Sequence, residues 1–287
     1  MRNRKWLKKA RNSAFRCFKW FLILGCCTLF YAKSIEPNWI AINHLQFTLP
    51  HLSSEFNGYR IVQISDIHRD RWMTPQRFRH IVDLVNQEEP DLVAITGDLI
   101  TRHLPQFIPS LESMLAEFTP QDVTVAILGN HDHENDVERI IQAIETSGTV
   151  NLSNDIYTLK RDKAVLHIAG VDDAYMGKDR LDLVLQKLPP GGAAILLAHE
   201  PDFAKSSAIA GRFDLQLSGH SHGGQVRLPF IKPPILPPWA RRYYLGLDQV
   251  GDMQLYTNRG LGMTGLHLRL FSRPEITVFT LVAPGFS

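Results

Sequence analysis

The run Val123-Thr-Val-Ala-Ile127 and the six residues after it, Leu128-Gly129-Asn130-His131-Asp132-His133, decide how the rest of the chain is read. A short, largely apolar and β-branched run of this kind is the pattern of a buried strand. The polar cluster then falls at the strand's carboxyl end, where open α/β sheets place their sites. An Asn amide oxygen can ligate a metal, the neighbouring His can move a proton, and Asp132 is expected to hold that imidazole in one tautomer. Met once, such a cluster is more simply a solvated turn.

It is met five times. Asp66 and His68 follow Arg60-Ile-Val-Gln-Ile64, and Gly97-Asp98 follows Leu92-Val-Ala-Ile-Thr96. His199 ends Ala194-Ile-Leu-Leu-Ala198, and Gly219-His220-Ser-His222 ends Leu215-Gln-Leu-Ser218. Each run finishes in Asp, Asn or His, the residues that bind borderline and hard cations. Taken singly, Asp66 or Asp98 is a helix N-cap and His199 a core imidazole. Five strand ends of one chemistry point instead to a metal site.

Around these blocks strands alternate with amphipathic helices, which implies α/β layers. Asn38–Pro50 alternates as a first strand. Helices are expected from Thr74-Pro75, over Asn135–Ser147, and over Leu181–Leu188 and Pro201–Ala210. Further strands are expected at Val165–Ala169, Met253–Thr257 and Ile276–Val282, enough for a second sheet. Gly260-Leu-Gly262-Met-Thr-Gly265 matches the dinucleotide-binding fingerprint. However, Leu266–Leu270 alternates as a strand instead of opening a helix, so the glycines read as a turn-rich loop.

The composition, 44% hydrophobic and 21% charged, is that of a folded protein. Its near-neutral total hides an asymmetry. Residues 1–35 carry nine of the 31 Lys/Arg and no acid, so the remainder holds 22 basic against 29 acidic residues, a net −7. A basic head on a mildly acidic body suits an anionic membrane surface and leaves no basic stripe for nucleic acid. Trp20–Ala32 is a charge-free run, extended by Phe15–Phe18 if Lys19 snorkels. An uncleaved anchor, a cleaved signal and an interfacial helix all fit. The uncleaved anchor in the cell inner membrane is taken as the expectation. By the positive-inside rule a spanning helix would place the body outside, and an interfacial one would leave it inside. Cys17, Cys26 and Cys27 all lie in this head, so the body uses neither disulfide nor thiolate.

The ordered set Asp66-Ile-His68, Gly97-Asp98, Gly129-Asn130-His131-Asp132, His199 and Gly219-His220-Ser-His222 resembles the calcineurin-like metallophosphoesterase superfamily, from about Tyr59 to the C-terminus. Ile64-Ser65-Asp66-Ile-His68, Gly223-Gly-Gln-Val-Arg-Leu-Pro229 and Asn258-Arg-Gly-Leu-Gly262 look like its membrane-associated bacterial phosphodiesterase branch. That branch includes enzymes that cleave the pyrophosphate of UDP-diacylglucosamine in lipid A synthesis.

The resemblance implies an α/β fold, a four-layer αββα sandwich of two mixed sheets flanked by helices. It divides the chain into an anchor (1–35), a leading strand and linker (36–58) and the phosphoesterase domain (59–287). It further implies two divalent ions (Mn, Fe or Zn), one held by Asp66, His68 and His222, the other by Asn130, His199 and His220, with Asp98 bridging. Two such ions about 4 Å apart acidify a shared water and neutralise phosphoryl oxygens during in-line attack. His131 then serves the leaving oxygen, oriented by Asp132.

Beside these motifs, Arg69 and Arg259 are candidates to clamp substrate phosphate. In the proline-rich stretch Pro229–Trp239, Phe230, Ile231, Ile235, Leu236 and Trp239 are candidates for a greasy lip at the metal site that meets acyl chains or the bilayer. Glu200 is expected to face solvent, and Asp172 and Asp173 to form a turn. The expected activity is hydrolysis of a phosphodiester or pyrophosphate, with lipid and membrane as partners and no protein partner inferred. The alternatives are a phosphoesterase acting on soluble substrates and a non-catalytic scaffold. The scaffold is disfavoured because no ligand is missing.

Overall fold

The computed structural model describes residues 2–286 of the chain, with side chains from residue 11 onward; the side chains of Arg2–Lys9 in the basic head lie outside the described set. Twelve strands build two six-stranded sheets. In chain order they are β1 (Ala41–Thr48), β2 (Arg60–Ile64), β3 (Leu92–Thr96), β4 (Val123–Ile127), β5 (Val150–Asn151), β6 (Asp155–Arg161), β7 (Ala164–Gly170), β8 (Ala193–Leu197), β9 (Leu215–Ser218), β10 (Gly246–Val250), β11 (Met253–Thr257) and β12 (Glu275–Val282). The first sheet runs β1-β12-β2-β3-β4-β5 and the second β10-β11-β9-β8-β7-β6. In the first, β2 to β5 are parallel and β12 is antiparallel to β2; in the second, β7, β8, β9 and β11 are parallel and β6 and β10 are antiparallel edges.

Seven α-helices accompany the strands: α1 (Arg2–Phe30), α2 (Pro75–Gln87), α3 (Leu111–Leu115), α4 (Asn130–His133), α5 (Val137–Thr146), α6 (Leu181–Lys187) and α7 (Ala204–Ile209). The order of the layers follows from what each face buries. Facing side chains of the two sheets, among them Phe47, Ile61, Val125, Ile168, Ile195 and Leu217, form the central core. Helices α2, α3 and α5 cover the outside of the first sheet, and α6 and α7 that of the second. Helix α2 shows the local logic. Thr74 caps it by accepting from Arg77 N at 3.2 Å, Pro75 opens it, and Phe78, Ile81, Val82 and Val85 fall on one buried face. Each of those four contributes about 1.5–3 kcal/mol by leaving water.

The leading strand expected within Asn38–Pro50 is present as β1 and belongs to the sandwich: it pairs with β12 over eight residues, from Ala41↔Glu275 to Thr48↔Val282. The residues before it are built in as well. Arg269 N donates to Ala32 O at 2.9 Å, and buried Glu36 accepts from Ser272 N at 2.5 Å. Leu266–Leu270, read as a strand, is a loop with a single bridge, Val226↔Leu270. Arg269 explains this. Its guanidinium is wholly buried and donates to the carbonyls of Arg259, Gly260, Gly262 and Ser272, so side chain replaces ladder.

The segment Arg11–Asn38, which runs from within α1 to the residues just before β1, is long and apolar enough to cross a membrane; its most apolar stretch is exposed, whereas Ala32, Glu36 and Pro37 near its end are buried against the body.

Candidate dinuclear metal centre

Parallel strands deliver their carboxyl ends to one edge, and in both sheets that is the same edge of the sandwich. Past β2 and β3 the ladder continues through Asp66 N to Gly97 O and His68 N to Asp98 O, each 3.0 Å. This brings the Asp66-Ile-His68 and Asp98 turns side by side. Across the sandwich Gly219 N donates to His199 O at 3.0 Å, joining the β8 and β9 ends. Both oxygens of Asp66 lie 3.1 Å from His220 N, and Gln63 reaches Ser218 O at 3.0 Å, so the two edges are bonded to each other.

Local backbone marks the site as well. Asp66, His68, Asp98, His220 and His222 all have positive φ, between 48° and 64°. A left-handed conformation is costly for residues with a Cβ and persists where surrounding structure forces it. Close passage is the forcing agent. A Cβ on Gly97 would lie 2.5 Å from His199 Nδ1, one on Gly129 2.4 Å from Asp98 Oδ1, and one on Gly260 2.6 Å from Asp66 Cβ. The fingerprint-like glycines after β11 therefore serve to back the Asp66 turn.

The donors form two buried triads, Asp66/His68/His222 and Asp98/His199/His220, each with its ligand atoms within 4.8 Å of one another. Asp98 reaches both: its Oδ2 is 3.5 Å from His68 Nε2 and 3.3 Å from His199 Nε2. Asn130 is buried beside them on α4, and its Oδ1 has no hydrogen-bond partner.

Tautomers complete the test of fit. His199 Nδ1 lies 2.7 Å from Thr96 O and His220 Nε2 lies 2.9 Å from Pro238 O, and since a carbonyl can only accept, both nitrogens carry the proton. In the neutral rings His199 Nε2 and His220 Nδ1 then face each other at 3.2 Å with lone pairs and no proton. His68 Nε2 and His222 Nε2 also approach to 3.0 Å, and no carbonyl fixes the tautomer of either ring, since both Nδ1 atoms lack a partner. Juxtaposed lone pairs repel unless a proton or a cation lies among them, and this donor set suits a borderline divalent ion.

Charge balance agrees. Burial would raise the Asp66 and Asp98 carboxyls, but the neighbouring histidines, His222 first for Asp66 and His199 first for Asp98, hold both below the usual range. Burial would lower His199, but Asp98 outweighs it and raises its affinity for a proton. Burial, reinforced by His199, pushes His220 down to about 4.

His131 and Asp132 part company. His131 N donates to Asp98 Oδ1 at 2.9 Å, its ring packs edge-on to His68 at 4.9 Å, and its Nδ1 accepts from Arg102 N at 3.3 Å. The expectation that Asp132 orients this imidazole is corrected. The Asp132 carboxylate accepts from the backbone N–H of Gly129 (3.0 Å), Ile100 (3.0 Å) and Leu99 (3.2 Å), clamping the β3 and β4 turns together. Burial, then the Asp98 charge, raise its pKa to about 7 against those three donors.

The centre opens into a cavity of about 580 Å³, walled by Asp98, Asn130, His131, His220 and His222 at its floor. Of the candidate substrate contacts, Arg69, Arg259, Phe230 and Trp239 do not line it, whereas Ile235 does. Arg69 donates to Ser110 Oγ at 3.0 Å and Met73 O at 2.8 Å and lies over the Phe107 ring. Arg259 pairs with buried Glu275 at 2.5 Å. Phe230 is fully exposed over a separate hollow, and Trp239 lies outside the cavity wall, its carbonyl accepting from Asp202 N at 2.8 Å. Pro234, Ile235, Pro237 and Pro238 represent the proline-rich stretch instead. The arginine in the wall is Arg102, joined by Tyr175, whose ring centroid is 6.4 Å from that of His220. Arg102 lies only four residues beyond Asp98, the one sequence signal that could have found it.

Glu200, expected in solvent, is buried and accepts from Ala174 N at 3.1 Å. Burial, then the neighbouring Glu200 carboxylate, raise the pKa of Asp173 to about 8.

Comparison with known proteins agrees with this geometry. Residues 59–224 match the family model described as calcineurin-like phosphoesterase. The chain is 37% identical over 258 residues to the uncharacterized metallophosphoesterase YkuE of Bacillus subtilis, covering 88% of each chain. It is 28% identical to the phosphodiesterase YaeI of Escherichia coli, covering 88% of this chain and 92% of that one. It is 30% identical to a transmembrane protein with metallophosphoesterase domain of Danio rerio, covering 83% of this chain and 56% of that one. This chain belongs to the calcineurin-like phosphoesterase family and is a metal-dependent phosphoester hydrolase.

Proposed function

We propose that this protein is a membrane-anchored phosphodiesterase that cleaves a phosphodiester or pyrophosphate bond in a lipid-linked substrate. Asp66, His68 and His222 would hold one divalent ion and Asn130, His199 and His220 a second, with the Asp98 carboxylate within reach of both donor sets. When bound, such a pair acidifies a water and neutralises phosphoryl oxygens. The protein does the rest. Thr96 O and Pro238 O keep His199 and His220 in the ligating tautomers. The His131 backbone donates to Asp98 and holds that carboxylate in place, while the ring, at the cavity wall, delivers a proton to the departing oxygen. Arg102 offers a cationic fork to a non-reacting phosphate oxygen.

The observation that carries the reading is the Asp98 carboxylate shared by two buried donor triads at the floor of one cavity. The membrane and lipid parts rest on α1 and on the apolar wall at Ile235 and Leu266. Purified full-length protein should contain two transition-metal ions and hydrolyse bis-p-nitrophenyl phosphate, and Asp98→Ala should do neither. Incubation with UDP-diacylglucosamine should release UMP and the lipid monophosphate. An Asp98→Ala variant with undiminished turnover would refute the dinuclear assignment, and hydrolysis of soluble diesters alone would refute the lipid one.

A further inference from the structure

A second hollow, of about 380 Å³, lies between the anchor helix and the catalytic body. Phe21, Leu24 and Leu29 of α1 form one wall, and Val226, Leu268 and Leu270 the other. From Phe21 to Leu29 the helix rises about 12 Å, so the hollow is an elongated groove along the helix. It is lined almost wholly by hydrocarbon, and water has too few polar partners there to settle.

Two features of the surroundings decide what fills it. The helix wall belongs to the segment long and apolar enough to span a membrane, and Phe21, Leu24 and Leu29 are more than half exposed, so the groove opens sideways onto whatever surrounds that helix. In a bilayer that medium is acyl chain. The opposite wall leads to the chemistry. Val226 lines both this groove and the metal cavity, and Leu266, two residues before Leu268, lines the cavity while remaining largely exposed.

We infer that the groove seats one acyl chain of the substrate lipid while its phosphate lies in the metal cavity, so that α1 is part of the substrate site. This rests on the lipid-substrate reading above and assigns that substrate's tail a place.

Two measurements on the full-length chain in phosphatidylglycerol vesicles test this. With Cys17, Cys26 and Cys27 replaced by Ser, a bimane label on Leu268→Cys should be quenched by lipid brominated along its acyl chain and spared by aqueous iodide. Quenching by iodide, which means an open aqueous surface, overturns the inference. So does protection from both quenchers, which means a second protein copy covers the groove. Separately, Leu268→Trp and Leu270→Trp, which fill the groove, should each raise KM for UDP-diacylglucosamine about tenfold or more. Their kcat/KM for bis-p-nitrophenyl phosphate should stay that of the parent. Lipid hydrolysis indifferent to both substitutions overturns the groove as a substrate site. A parent protein that hydrolyses the small diester and no lipid refutes the lipid-substrate reading instead.

Discussion

Replacing Gly129 by Ala tests the architecture of the centre without touching a ligand. Gly129 has φ −120° and ψ 177°, extended backbone that Ala adopts at no cost, so any effect comes from space alone. The added methyl would lie 2.4 Å from Asp98 Oδ1 and 2.6 Å from Asp98 N, where 3.4 Å is ordinary contact. Asp98 or the β4 turn must therefore yield by about 1 Å in a close-packed region. Neither moves freely: His131 N is bonded to Asp98 Oδ1 at 2.9 Å, and Asp132 ties Gly129 N to the β3 turn. Overpacking of this kind costs about 1–3 kcal/mol. At about 2–4 °C per kcal/mol for a domain of this size, Tm should fall by roughly 2–12 °C. A bridging carboxylate misplaced by about 1 Å should lower kcat/KM by about 10²-fold. Metal content by mass spectrometry, kcat/KM for bis-p-nitrophenyl phosphate and Tm would be read on the same preparation. Gly211→Ala, at φ 63° with open space around it, is the control that lowers Tm and leaves kcat/KM alone. A Gly129→Ala protein that holds two ions and keeps kcat/KM within about threefold of the parent would refute the steric reasoning.

Other expectations are as definite. His131→Gln should keep its metals and lose about 10²-fold or more in kcat on an alkyl phosphodiester. The loss should be smaller on p-nitrophenyl esters, whose leaving group needs no proton, and equal losses on both would remove His131 from that role. Arg102→Ala should raise KM about tenfold, the worth of one charge-assisted contact, with kcat little changed; an unchanged KM would show that Arg102 does not meet substrate. The His133–Asp172 pair, at 2.7 Å, gives a pH signature. Burial would lower His133, but the Asp172 carboxylate outweighs it and the pKa is raised. Its stabilisation is thus full below the unfolded value of about 6.5 and is lost as pH rises through the folded value. The Tm gap between the parent and His133→Asn should shrink from pH 6 to pH 9, and a gap that widens would reverse the assignment.

Asp66, Asp98, Asn130, His199 and His220 were legible in the sequence because parallel strands hand over their last residues at one edge, so a repeated strand-then-ligand pattern already encodes convergence. The relation between His131 and Asp132 was not. Residues 130–133 form a helical turn, in which neighbours diverge by about 100°, so one side chain meets the cavity while the next turns to the backbone of Gly129, Leu99 and Ile100. The burial of Glu200 is hidden from the sequence because a carboxylate is rarely buried alone, and the carboxyl group it faces, Asp173, lies 27 residues earlier, before α6 and β8. Arg269 sat on what looked like the polar face of a strand. Only the fold shows that its four carbonyl partners are the loop it supports.

The bonds between residues 32–36 and the body carry a consequence for any form of the protein cut free of its N-terminal helix. Glu36 holds Ser272 N, and Ser272 Oγ in turn donates to the carbonyl of His222 at 2.7 Å. Ala32 holds Arg269, whose guanidinium grips the Gly260 and Gly262 carbonyls behind Asp66 and His68. A protease that trimmed the chain between residues 36 and 41 would free a folded, water-soluble body and at the same stroke slacken the turns carrying three ligands. Loss of the N-terminal helix and loss of activity would then be a single event, and a catalytically sound truncated form would have to keep the stub from Ala32 onward.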